Sequence, residues 1–156
     1  MNRLLKLKMH ARYQKRIQKT AERRRGVLIK NLDEQLNLLQ ATINGDQFVS
    51  PRKVWKTNEE GERVQIERPK RIRPWFWVSW SGICFFQVWY GSKIVELQPG
   101  MTCVEVESKE KLVDAISSII EAVKSGDLDI PIENVAEKGL AEIRLNYKFK
   151  VTKQTK

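Results

Sequence analysis

Between Trp75 and Val106 the chain alternates β-forming runs with turn dipeptides. Trp75 to Trp80, Ile83 to Tyr90, Lys93 to Leu97 and Met101 to Val106 are separated by Ser81-Gly82, Gly91-Ser92 and Pro99-Gly100. Breaks so closely spaced between β-formers predict an antiparallel meander of four strands over residues 75–106. In the first run Trp75, Trp77 and Ser79 fall on one face, and Phe76, Val78 and Trp80 on the other. Both faces therefore carry large apolar groups, and helix must cover one of them. A suitable helix follows directly. Ser108 can cap it, Leu112, Ile116, Ile119, Ile120 and Val123 share one face, and Gly126 ends it, which predicts a helix over 109–124.

The region before the meander divides at its glycines and prolines. Leu28, Leu32, Leu36, Leu39 and Ile43 recur every three or four residues and predict an amphipathic helix over 27–43, stopped near Asn44-Gly45. Phe48 to Lys56 and Arg63 to Glu67 flank the polar turn Thr57 to Glu62 and read as a hairpin over 48–67. Arg68-Pro69-Lys70-Arg71-Ile72-Arg73-Pro74 is a basic connector that resists regular pairing, because each proline lacks a backbone donor. Past Pro131, residues 132–142 read as a weaker helix containing Gly139. The alternation of Leu145, Tyr147, Phe149 and Val151 with polar residues reads as an edge strand or basic tail.

The resulting fold class is α+β: an N-terminal basic, amphipathic helix and an antiparallel meander of about 4–6 strands packed by a C-terminal helix. Residues 1–25 form a basic arm, helical or disordered, residues 26–152 a single α+β domain, and 153–156 a tail. At 156 residues, with 41% hydrophobic and 31% charged side chains, the chain can bury one core. No apolar run reaches the roughly 18 residues a membrane span needs, and the basic N-terminus lacks the apolar stretch of a secretory signal, so a cytoplasmic setting is expected. Cys84 and Cys103 are too few for a zinc site or a disulfide scaffold and read as reduced strand residues of the core.

Charge is distributed unevenly. Residues 1–30 hold eleven Lys or Arg against the single acid Glu22, whereas the remaining residues hold 18 basic and 18 acidic side chains. The whole excess of +10 is thus an arm and not a general property of the surface. Blocks of like charge seek polyanions, and neutralising phosphates releases counterions. Arg12, Lys15, Arg16, Lys19, Arg23, Arg24 and Arg25 are the candidate backbone contacts to nucleic acid, DNA or RNA. Lys70, Arg71 and Arg73 lead into Trp75, and cations beside flat rings suit single-stranded or looped nucleic acid. The plainer alternatives are a solvated tail and aromatic rings that belong to the core.

Signals for catalysis are sparse. His10 sits in the basic arm with no acid nearby, the clusters Glu59-Glu60-Glu62 and Asp127-Asp129 lie in polar turn-like segments, and Gly82, Gly91 and Gly100 are isolated at turns. No enzyme activity, cofactor or metal is expected. Three partner classes follow: nucleic acid bound through the arm, a host protein bound through the aromatic sheet or the leucine face, and a homodimer through helix 27–43. An anionic membrane surface touched by Leu4, Leu5 and Leu7 ranks behind them, because that apolar side is brief.

The stretch Val54 to Gln65, then Pro69 to Phe76, Tyr90-Gly91-Ser92-Lys93 and Gly126-Asp127-Leu128-Asp129, resembles an uncharacterised family of short proteins from proteobacteria and their phages and mobile elements. The resemblance spans residues 24–130 and implies a bacterial or phage setting, with no activity and no functional residues attached.

Overall fold

The computed structural model describes the backbone from Arg3 to Lys153 and side chains from Thr20 to Asn146. The fold is α+β, with three helices and small antiparallel sheets in the order α1 (Arg3–Asn44), β1 (Ser50–Thr57), β2 (Arg63–Lys70), β3 (Phe76–Val78), β4 (Cys84–Phe86), β5 (Trp89–Tyr90), β6 (Lys93–Ile94), β7 (Val104–Val106), α2 (Lys109–Ser125) and α3 (Asp129–Lys153).

Basic arm and leucine helix are one continuous helix. At 42 residues α1 is about 63 Å long. Gly45 ends it with a left-handed φ of 78°, which a Cβ would oppose. Leu28, Leu32 and Leu39 are fully buried, and α1 packs most extensively on α2. The leucine face expected to mediate dimerisation is therefore occupied inside this chain. Facing it, α2 buries Leu112, Ile116, Ile120 and Val123, with Ser108 accepting a hydrogen bond from the Lys111 amide and Gly126 closing the helix at φ 96°.

β1 and β2 pair antiparallel in unbroken register from Ser50↔Lys70 to Thr57↔Arg63. The ladder runs through Pro69, contrary to the expectation that the connector begins unpaired at Arg68. In a two-stranded ribbon both strands are edges, so a proline costs nothing where its nitrogen faces outward, and Pro69 stands opposite Pro51.

The four-strand meander is interrupted. Sheet order is β3-β4-β7, with β5 and β6 forming a separate two-residue hairpin. The pairing changes partner after Gln87: its amide donates to the Trp75 carbonyl at 3.0 Å, extending the β3–β4 ladder in register, whereas the next carbonyl, of Val88, accepts from the Val95 amide and belongs to the β5–β6 hairpin. Leu97 then bonds to Met101 around Pro99-Gly100, and the returning strand pairs with central β4 instead of β6. Cys84 is buried on β4, but Cys103 precedes β7 and is exposed, so only one of the two cysteines belongs to the core.

The segment read as a weak helix followed by an edge strand or basic tail is one helix, α3, continuous to Lys153. Pro131 falls in its first turn, where the missing amide is harmless. Helix satisfies its own backbone, whereas a strand at 145–151 would need a sheet edge beside it. The expected tail beyond Lys153 lies outside the described residues.

Candidate nucleic-acid interface

On helix α1 the cationic positions 8, 12, 15, 16, 19 and 23 recur at spacings of three and four, which places them along one face. Four pairs, at 8 and 12, 12 and 16, 15 and 19, and 19 and 23, are like charges one turn apart. Each such pair opposes the helix by roughly 0.2–0.5 kcal/mol. The side chains of Arg12, Lys15, Arg16 and Lys19, like that of His10, fall outside the described residues.

The arginine triplet divides by helical angle. Arg23 is exposed. Arg24 reaches Glu133 of α3 at 3.6 Å, and Arg25 clasps Asp129 with two bonds, its Nε donating to Oδ1 at 2.7 Å and its Nη2 to Oδ2. These two cations therefore fasten α1 to α3. The close approach explains Gly126: a Cβ there would meet the Arg25 guanidinium at 2.7 Å.

Hydrogen bonding from Arg25, reinforced by its charge, holds the Asp129 carboxyl below its ordinary range, against the smaller opposing effect of burial. Because the folded value is the lower one, the latch contributes fully above the unfolded carboxyl range of about 4 and fades as pH falls through the folded value. Arg25 shifts upward, chiefly through the same bond, and stays charged throughout. Urea midpoints measured from neutral pH down to acid should therefore fall more steeply for the unsubstituted protein than for Asp129→Asn. Parallel curves would show that the latch carries no pH dependence.

The connector is held differently from the expectation. Lys70 pairs with Glu34 at 3.0 Å, and the same carboxylate accepts from Ser50. Gln35, buried on α1, donates to the Arg73 carbonyl at 3.0 Å and accepts from the Trp75 amide at 2.8 Å. Arg71 is exposed. The Arg73 guanidinium lies 5.4 Å over the Trp89 ring, a cation–π contact that occupies that face.

Trp75, a candidate contact, is half-buried and sits 6.4 Å from Phe86, and Trp89 is half-buried as well. The open ones are Trp80, fully exposed beside the Gly82 turn, Trp55 on β1, and Trp77, which stacks on Phe85 at 5.6 Å. Comparison with protein-family models, curated proteins and solved structures finds no match for this chain.

The sequence reading missed Arg52, Lys56 and Arg68 on the hairpin. Their signal is the period-two pattern Arg52-Val54-Lys56 answered by Val64-Ile66-Arg68, legible once the turn fixes the register. A hollow of about 490 Å³ between β6 and α3 is lined in part by Lys93, Glu96, Asp127 and Lys138, a mixture of charges with no nucleophile and base in contact. Among the described residues no three His, Cys, Asp or Glu gather as metal ligands, and no helix is long and apolar enough to cross a membrane.

Proposed function

We propose that this chain is a small non-enzymatic nucleic-acid-binding protein in which α1 supplies the phosphate contacts and the α+β domain holds that helix. One observation carries the reading: six cationic positions follow one face of a continuous helix ahead of its buried half, at a cost in helix stability that a polyanion would remove. Arg12, Lys15, Arg16, Lys19, Arg23 and the connector's Arg71 are the contact set. Arg24, Arg25 and Lys70 serve the fold through Glu133, Asp129 and Glu34. The resemblance over residues 24–130 adds a bacterial or phage setting to the proposal.

Fluorescence-anisotropy titration of labelled DNA and RNA, single-stranded and duplex, tests it. Micromolar or tighter binding is expected, weakening with salt at a logarithmic slope to which these six cations contribute about −5 on duplex DNA. The variant R12A/R16A/R23A should lose about half of that slope. Absence of binding at low and near-physiological salt would overturn the reading.

A second reading, an adaptor or inhibitor acting on a host protein, is favoured by exposed Trp77, Val78 and Trp80 at the sheet edge. Binding of that kind would survive neutralisation of the α1 cations.

A further inference from the structure

The β1–β2 hairpin is longer than any strand pair in the sheets that hold the core, and nearly all of its residues are exposed on both faces. Its base is tied to α1 through Glu34. A lone two-stranded ribbon gains little from its own packing, so a ribbon this long invites an account of what it meets.

Its register segregates charge. On one face lie Arg52, Lys56, Arg68 and Lys70 with Val54, Val64 and Ile66, and no acid. The other face carries Lys53 opposite Glu67, Arg63 opposite Thr57, and Trp55 opposite Gln65. Arg52 stands directly across from Arg68, an arrangement that destabilises an isolated sheet. Among the described residues, Arg52, Lys56 and Arg68 make none of the ion pairs, although Lys70 does.

Resting on the nucleic-acid reading above, we infer that this ribbon enters the major groove of double-stranded DNA with its Arg52–Lys56–Arg68 face. Dimensions agree: strands about 4.8 Å apart with side chains on either side suit a groove about 12 Å wide. Cations along the ribbon would reach the flanking phosphates and guanine edges, while Val54, Val64 and Ile66 offer the apolar contact that thymine methyl groups accept. Single strands call for aromatic platforms, and the ribbon's one aromatic residue, Trp55, is on the opposite face. The major groove of an RNA duplex is too narrow to admit the ribbon. Glu59, Glu60 and Glu62 make the tip acidic, with Asn58 accepting the Glu60 and Glu62 amides, so contact runs along the ribbon's length and not through its end.

The test compares the full-length protein with R52A/K56A/R68A and with the opposite-face variant K53A/R63A, on duplex DNA, its single strand and duplex RNA of the same sequence. Loss of three phosphate-neutralising cations should weaken duplex DNA binding on the order of a hundredfold at about 0.15 M salt and lower the salt slope by about 3. The opposite-face variant should stay close to the unsubstituted protein. A measurement that needs no variant uses duplex DNA whose major groove is filled by glucosylated hydroxymethylcytosine, on which the unsubstituted protein should bind more weakly.

Unchanged duplex affinity in the triple variant, indifference to the filled groove, or a preference for single strands or RNA would each overturn the ribbon's role while leaving nucleic-acid binding through α1 in place. Failure to bind any nucleic acid would overturn both.

Discussion

Phe86→Ala should lower stability by about 3–5 kcal/mol, a large part of the roughly 5–15 kcal/mol that a domain of this kind possesses. Among the described residues Phe86 is the largest fully buried side chain, on the central strand of the β3-β4-β7 sheet. Its ring lies beside Trp75 on one flank, and its backbone pairs with Phe76 and Val104 on the two neighbouring strands. Removing the ring takes apolar area from the core and leaves a hollow, and paired strands on both sides limit how far the surroundings can close in. A urea midpoint displaced with little change in slope is the expected signature. A loss below about 1 kcal/mol would mean that the sheet adjusts far more freely than close packing allows.

Gln35→Ala is expected to cost about 2–4 kcal/mol, because a buried group left without its partner loses more than the bond was worth. Gln35 is 2% exposed and satisfies two backbone groups of the connector at once, the Arg73 carbonyl and the Trp75 amide. Truncation strands both and opens space. Gln35→Met keeps most of the volume, so the difference between the two variants separates hydrogen bonding from packing. Gln35→Glu gives a sharper test. An ionised carboxylate can accept from Trp75 but has no proton for Arg73, whereas the protonated acid has both a donor and an acceptor. That variant should be destabilised at neutral pH and recover part of the loss as the medium is acidified toward the carboxylate range. Stability of Gln35→Glu that is equal to wild type at neutral pH would rule out the clamp.

Elements announced by local chemistry are legible in the sequence. Ser108, the apolar stripe from Leu112 to Val123, and Gly126 fix α2 at both ends, and Asn44-Gly45 fixes the end of α1. What escaped depends on contacts remote in sequence. Alternation at 145–151 resembles a strand, but no local signal says whether a sheet edge is near, and helix α3 simply continues. The pairing of β4 with β7 joins strands nearly twenty positions apart across the β5–β6 hairpin, a partnership that no local signal records. Of the candidate site, the cationic arm was read from residue counts alone. The division of Arg23, Arg24 and Arg25 between surface and fold was not, since Asp129 and Glu133 stand about a hundred positions downstream.

The edge strand β3 has a colloidal consequence. It offers Trp77 and Val78 at the open side of the sheet, with Trp80 standing in solvent just beyond. Apolar edges of this kind draw copies of a chain together, and β3 is short enough to weaken that tendency without abolishing it. Mutual repulsion between molecules each carrying +10 supplies the rest of the protection. Anything that screens or neutralises α1 removes that repulsion, so the chain's solubility is governed from the end opposite to the strand it protects.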